Sequence, residues 1–303
     1  MDKIKNTLIC GLGAIGSIYA DKISEFDNTS LKILVDETRI QKYKNNPIIY
    51  NNKQLNLNYI LPNEKDFKAD LILISTKADG LMWACENIKN FVHEKTIILP
   101  LLNGIESEEI LASKYGWERV LNAYVICHSS MRTGQNITHD GVNTIFFGTK
   151  FPQNNKKIKI LKQFFNETKI NYETPEDITY SQWKKFALNA CANPLTAIYG
   201  LTFGQALKNK DFMNEALHII QEVVQIAKAE GINNTDNLVS DVIEALKTML
   251  PDGKTSMLQD IEANRKTEID IFAGTIIKLG KKHNIPTPYN NKILIKINNL
   301  EKK

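Results

Sequence analysis

Three glycines near the start of the chain limit what it can fold into more than any other feature. The stretch "LICGLGAIGSIYA" sets Gly11, Gly13 and Gly16 in G-x-G-x-x-G spacing, after an apolar run with strand character and at the opening of a helical pattern. In that setting the first glycine permits a tight turn, the second lets a pyrophosphate approach the backbone, and the third lets the helix pack closely on the strand. The helix start then offers unpaired N–H groups and the positive end of its dipole to the phosphates. Asp36 lies twenty residues after Gly16, at the end of the second apolar run, where an acid can accept hydrogen bonds from a ribose. The loop with its intervening residues Leu12, Ala14 and Ile15 is therefore expected to hold a dinucleotide. One such loop and no second nucleotide motif suits hydride transfer from a nicotinamide better than phosphoryl transfer.

Composition narrows the rest. A chain of 303 residues, 43% hydrophobic and 24% charged, has the globular balance and the length for two cores. The formal charge of +4 is spread over scattered lysines without a basic stripe, which excludes a nucleic-acid platform as the main reading. Cys10, Cys85, Cys127 and Cys191 show no metal-ligand spacing and sit in apolar runs, so buried free thiols are expected and no metal site. No run reaches the roughly 18 apolar residues of a membrane span, and the start lacks the long apolar core of a signal peptide. A soluble cytoplasmic protein is the expectation.

Up to about residue 150 the runs "KNTLIC", "LKILVD", "LILIS", "TIILPLL" and "VLNAYVICHSS" alternate with helical stretches, which predicts a parallel sheet covered by helices. Asp140-Gly141 between two strand-like pieces reads as a hairpin closing the sheet's far edge. From about residue 178 the strand pattern ends and helical stretches such as "FMNEALHIIQEVVQIAKAEG" dominate, with Gly231 as a C-terminal cap. The expected division is a dinucleotide-binding domain at 1–172 and a helical substrate-binding domain at 173–303.

Two polar rows stand out in the helical half. "WKKFALNACANPL" places Lys185, Asn189 and Asn193 four residues apart, so they share one helix face with a drift of about 40° per step. "TSMLQDIEANRKTEIDIFAG" repeats the spacing with Ser256, Asp260, Asn264 and Glu268, read as one helix capped by Thr255 or Ser256. Either row alone describes a solvated face. Two of them behind a dinucleotide domain point to a substrate cleft, and a hydroxyl-rich helix start favours a carboxylate ligand.

Taken together, "GLGAIG", "STKA", "LLNGIE", "WKKFALNACANPLTAIYG" and "SMLQDIEANRKTEIDIFAG", in this order, resemble the ketopantoate reductases (2-dehydropantoate 2-reductases) over nearly the whole chain. The resemblance implies an α/β Rossmann-type domain followed by an all-α C-terminal domain of 6-phosphogluconate-dehydrogenase-like architecture, with the active site in the cleft between them. It implies reduction of 2-dehydropantoate to pantoate with NADPH on the route to pantothenate and coenzyme A. It makes Lys185 the catalytic lysine and Glu268 the carboxylate that pairs with it or holds the substrate hydroxyl. Asn189 and Asn193 would fix the substrate, Ser256 its carboxylate, and Lys77 and Asn103 would touch the dinucleotide, Asn103 facing the substrate as well. The lysine's chemistry is direct, since hydride addition to a ketone builds negative charge on oxygen that an ammonium stabilises and protonates.

The sequence departs from the family pattern at one place. Many members carry an arginine at the end of the second strand to meet the 2'-phosphate of NADPH; here Asp36 and Glu37 stand there, with Arg39 beyond. The expectation is that NADH serves at least as well as NADPH. His128, His218 and His283 read as structural residues. Two alternatives stay open: a related 2-keto acid reductase of different substrate choice, and a non-catalytic dinucleotide sensor, against which Lys185 and Glu268 argue. A homodimer is compatible with all of this.

Overall fold

The structure, a computed structural model, describes residues 3–127, 130–139 and 141–302. The chain divides into two compact units, Met1–Ile178 and Thr179–Lys303. The first opens with β1 (Thr7–Cys10), α1 (Ala14–Asp27), β2 (Leu31–Leu34) and α2 (Glu37–Asn45). Three short strands follow, β3 (Ile49–Tyr50), β4 (Lys53–Gln54) and β5 (Tyr59–Ile60), then β6 (Leu71–Ile74), α3 (Leu81–Asn87), β7 (Ile97–Pro100) and α4 (Ser107–Tyr115). The unit is completed by β8 (Asn122–Cys127), β9 (Ser130–Thr133), β10 (Asn136–His139), β11 (Asn143–Gly148), α5 (Asn155–Glu167) and β12 (Tyr172–Glu173).

Strands β5-β2-β1-β6-β7 form a parallel sheet in that order. Alternate side chains along its strands enter two separate cores. Ile9, Ile33 and Leu73 pack with Ile18, Tyr19 and Ile23 of α1, while Leu8, Cys10, Ile72 and Ile98 pack with Leu81 and Cys85 of α3 and Leu111 of α4. Helices on both faces explain why these strands are continuously apolar instead of alternating. The chain leaves β1 toward β2 and later crosses to β6 on the other side of β1. That reversal opens a crevice at the carboxyl ends of the two central strands, the usual ligand position in such sheets.

The later strands depart from the expected single sheet. "VLNAYVICHSS" does yield β8, but β8 pairs antiparallel with β11 in a separate sheet of order β12-β11-β8. Among the described residues, the run just before β8 meets β7 of the main sheet through an isolated bridge, Ile98 with Val120, where Ile98 N–H donates to the Arg119 carbonyl at 2.8 Å and Leu121 donates to the Ile98 carbonyl at 3.1 Å. Strands β10 and β11, which flank the expected hairpin, do not pair with each other: β10 joins β9 and β3 in a sheet of order β4-β3-β10-β9. Asp140, in the turn itself, lies outside the described residues.

The second unit is helical. It contains α6 (Ile178–Tyr199, whose first residue closes the first unit), α7 (Phe203–Lys208), α8 (Lys210–Ala229), α9 (Leu238–Lys247), α10 (Ser256–Glu262), α11 (Thr275–His283) and α12 (Pro288–Leu300). Asn209 caps α8 by accepting from the Phe212 N–H at 2.9 Å, and one face of α8 buries Phe212, Ile219, Ile220, Val223 and Ile226. At its end Gly231 is left-handed, φ +77°, and the N–H groups of Gly231 and Ile232 donate to the carbonyls of Lys228 and Ala227, as the sequence predicts for a glycine cap. No helix among the described residues is long and apolar enough to cross a membrane.

The second polar segment is not one helix. α10 stops at Glu262, Asn264 turns left-handed at φ +50°, and the N–H groups of Asn264 and Arg265 close onto the carbonyls of Ile261 and Asp260. Asparagine tolerates that conformation better than most residues, so it plays here the part Gly231 plays for α8. Regular structure resumes at Ile269 as a π-helical turn, Asp270–Gly274, leading into α11. The four-residue spacing from Ser256 to Glu268 therefore does not define a common face.

Candidate functional site

In the first unit, every residue expected to meet a dinucleotide lies at or beyond the carboxyl end of a strand of the parallel sheet. The three glycines of the loop after β1 are there for different reasons. A Cβ on Gly11 would lie 2.6 Å from the backbone of Ser75 and Thr76, and one on Gly16 would lie 1.9 Å from the Gly11 carbonyl oxygen. Packing alone forbids side chains at both places. A Cβ on Gly13 would meet nothing within 4 Å, so the bare backbone there faces open space. Gly13 also caps α1 without a side-chain bond, leaving first-turn N–H groups for an anion. An open approach to bare backbone at a helix start fits a pyrophosphate.

Two residues that the sequence reading passed over hold this loop. Ser75, just after β6, donates its hydroxyl to the Gly11 carbonyl at 2.8 Å and its N–H to the Cys10 carbonyl at 2.8 Å. Arg132 on β9 donates to the Leu12 carbonyl, while its Nε donates to the Gly134 carbonyl at 2.9 Å and its other terminal nitrogen to Gln135 at 2.8 Å. A trans peptide points its C=O and N–H in opposite directions. With the Leu12 carbonyl turned to Arg132, the Gly13 N–H of the same peptide faces the other way. The "STKA" motif hints at the serine; nothing in sequence places Arg132, 120 residues away, on the loop.

Asp36 is the cap of α2, with Oδ1 accepting from the Arg39 N–H at 2.7 Å and Oδ2 3.4 Å from the Arg39 guanidinium. That guanidinium also lies over the Trp83 ring, 5.8 Å from its centre. A surface cavity of about 230 Å³ is lined by Asp36, Glu37, Leu61, Pro62, Asn63 and Trp83, so one aromatic ring and two acids border it. Lys77 is exposed and opens a short 3-10 turn, Ala78–Gly80, beyond β6. Asn103 is half-buried beyond β7 and precedes Gly104, whose φ of +91° requires a glycine-type turn.

In the second unit, α6 carries the Lys185, Asn189 and Asn193 row as the spacing predicts. Trp183, Phe186, Ala187, Ala190 and Leu195 are buried. The row sinks inward along the helix: Lys185 and Asn189 are half-buried, and Asn193 is 6% exposed. That gradient sets it apart from a solvated face. Pro194 inside α6 has no N–H, so the Ala190 carbonyl lacks its usual helical donor. Thr196 Oγ1 donates to the Asn193 carbonyl at 3.1 Å and lies 2.7 Å from the hydroxyl of Thr255, which caps α10 through the Leu258 N–H. This buried contact ties the Asn193 turn to the start of α10, whose first residue is the exposed Ser256.

The remaining members of the second row go elsewhere. Asp260 is buried and bound to Arg265 Nε at 2.7 Å, closing its own helix end. Glu268 is half-buried in the stretch before the π-turn, next to Thr267, whose hydroxyl and N–H both donate to Glu301. Of the histidines, His218 stacks on Tyr289 with ring centres 4.3 Å apart, His283 pairs with Glu230 at the end of α11, and His128 lies outside the described residues. Among the described residues no three His, Cys, Asp or Glu side chains gather as metal ligands.

Comparison with known proteins places this architecture. Residues 7–150 match the family model for ketopantoate reductase PanE/ApbA, and residues 177–301 match that for the ketopantoate reductase PanE/ApbA C terminal. A 2-dehydropantoate 2-reductase of Vibrio cholerae is 27% identical over 98% of both chains. One from Streptococcus pyogenes is 26% identical over 93% of both. Among solved structures, a ternary complex of D-mandelate dehydrogenase with NADH and anilino(oxo)acetate superposes with a TM-score of 0.85 over 98% of each chain at 23% identity. With both family models matched in order along its length, the chain belongs to the ketopantoate reductase family.

Proposed function

We propose that this chain is a nicotinamide-dependent reductase of 2-keto acids, with 2-dehydropantoate as its substrate and pantoate as its product, serving pantothenate and coenzyme A formation. The observation that carries the reading is the inward-sinking row of one amine and two amides on α6, in a chain whose glycine loop leaves bare backbone open at Gly13. A bound nicotinamide supplies the hydride. Lys185 supplies the positive charge that meets the alkoxide as it forms and gives it a proton. Asn189 and Asn193 offer amide donors and acceptors to orient the keto acid. Ser256 holds its carboxylate, Glu268 its hydroxyl or the lysine, and Asn103 and Lys77 position the dinucleotide. The Gly11 to Gly16 loop, with Leu12, Ala14 and Ile15, takes the pyrophosphate.

For the cofactor, NADH serves at least as well as NADPH. A 2'-phosphate brought to the end of β2 meets Asp36 and Glu37 at the rim of the cavity there, and the nearest cation, Arg39, is already engaged by Asp36 and stacked near Trp83. A different 2-keto acid is the second reading, because the polar row addresses the keto-acid unit more than the chain attached to it, and the curated relatives are only 24–27% identical. The test is initial-rate oxidation of NADH and of NADPH with 2-dehydropantoate and a panel of 2-keto acids. Keto-acid-dependent oxidation, fastest with 2-dehydropantoate, is expected; dinucleotide binding without turnover on any keto acid makes the chain a sensor instead.

A further inference from the structure

A thiol, an imidazole and an amide that take no part in the proposed reduction stand in line in the first unit. Cys127 ends β8, and Asn143, which opens β11, is its partner across the strands. His139, the last residue of β10, places Nδ1 3.9 Å from the Cys127 sulfur and Nε2 3.0 Å from the Asn143 amide. His139 is 8% exposed and Asn143 4%, whereas Cys127 is half-buried. The histidine backbone is clamped by Asn51, which accepts from the His139 N–H at 2.8 Å and donates to the His139 carbonyl at 2.7 Å. The imidazole thus has little freedom to leave the sulfur.

The amide can serve either tautomer of the ring. With its nitrogen toward Nε2, the neutral ring carries its proton on Nδ1, where it faces the sulfur as a hydrogen-bond donor. A half-turn of the amide presents instead Oδ1, which is buried and without a hydrogen-bond partner among the described residues; the neutral ring then carries its proton on Nε2 and leaves Nδ1 bare toward the sulfur, able to take the thiol proton. The other three thiols have no such setting. Burial pushes those of Cys10 and Cys191 up to about 12 and raises that of Cys85, and all three are buried.

We propose that Cys127 is a nucleophilic thiol and a modification site for peroxides and soft alkylating agents, with His139 as its proton partner and Asn143 as the group that orients the ring. With a hydroperoxide, and with the ring proton on Nε2 where Asn143 Oδ1 accepts it, the thiol proton passes to the bare His139 Nδ1 and the sulfur lone pair forms an S–O bond to the peroxide oxygen. The O–O bond breaks, and the departing oxygen takes the proton to leave as water or alcohol. Sulfur is oxidised to sulfenic acid and the peroxide is reduced. The inference is independent of the keto-acid reading, since it needs neither dinucleotide nor substrate.

The experiment is timed labelling with limiting iodoacetamide, and separately with hydrogen peroxide followed by dimedone, with site-resolved mass spectrometry of all four cysteines. The intact chain is compared with the same chain unfolded in urea. Cys127 should react about tenfold faster in the folded chain than in urea, as a thiol with an enlarged thiolate fraction does, while the other three become slower on folding. His139→Gln, and as a second variant Asn143→Ala, should bring the folded rate at Cys127 to or below its rate in urea. Folded labelling of Cys127 no faster than unfolded labelling overturns the proposal without recourse to any variant. A rate that stays enhanced in a folded His139→Gln protein overturns it as well.

Discussion

Gly11, Gly13 and Gly16 share a motif but not a reason. Two are required by contacts within the protein and one by the space in front of it, a distinction invisible in the sequence, where all three are simply glycine. The same limit hid Arg132. Its grip on the Leu12 carbonyl depends on a strand pairing, β9 with β10, that no local pattern announces. Arg132→Leu should weaken dinucleotide binding about tenfold, on the scale of a charge-assisted hydrogen bond, with Arg132→Lys recovering part of it; fluorescence titration measures the Kd. An unchanged Kd in the leucine variant removes Arg132 from the loop's support. Beyond the end of β2, the position of Asp36 was legible, but its capping of α2 was not. For that reason Asp36→Asn, which keeps a capping side chain and removes the charge, is the clean variant. It should shift the kcat/KM ratio toward NADPH by roughly tenfold, a like-charge contact of about 1 kcal/mol or more being relieved. A ratio that stays put contradicts the role given to this carboxylate.

Helix ends were readable where glycine marks them and obscure where asparagine does. Gly231 announced the end of α8, whereas the apolar periodicity of "SMLQDIEANRKTEIDIF" runs on past Asn264 because local spacing carries no information about a left-handed residue. Asn264→Gly should leave stability within a few tenths of a kcal/mol of wild type, and Asn264→Val should cost about 1–2 kcal/mol, since a β-branched side chain resists that conformation. Urea denaturation of the two variants decides it, and equal stability contradicts the cap. A pH effect belongs to α5. Burial holds the Lys157 ammonium down at about 8 from an ordinary 10.5, with Arg119 adding to it and Glu118 opposing, while the ammonium bonds to the Thr96 carbonyl at 3.2 Å. The charged form is the one the fold penalises, so between pH 8 and 10.5 the unfolded chain binds more protons and stability at this position rises with pH. The stability of wild type relative to Lys157→Met should therefore increase from pH 7.5 to 10, by about 1 kcal/mol or less for a partly exposed group. A difference that is flat across this range contradicts the assigned cause.

For the molecule as a whole, alternation of strands and helices was enough to read the parallel sheet and the helical half that follows. It could not say that β8, β10 and β11 would be shared between two further sheets, because pairing partners far apart in sequence leave no periodic trace. On the functional side, the α6 row was legible because helical spacing is local, and the row from Ser256 to Glu268 failed because its helix ends midway. The proposed function needs two kinds of chemistry in one chain, a loop to receive a dinucleotide and a lysine to meet charge formed on a ketone. The most direct measurement is a single-turnover reaction with NADH and 2-dehydropantoate, with pantoate quantified by mass spectrometry, for wild type and Lys185→Ala. Wild type should convert keto acid to pantoate in step with NADH loss, and Lys185→Ala should be on the order of a hundredfold slower or more while its dinucleotide Kd is unchanged. No pantoate from wild type, or equal rates in the two proteins, would contradict it.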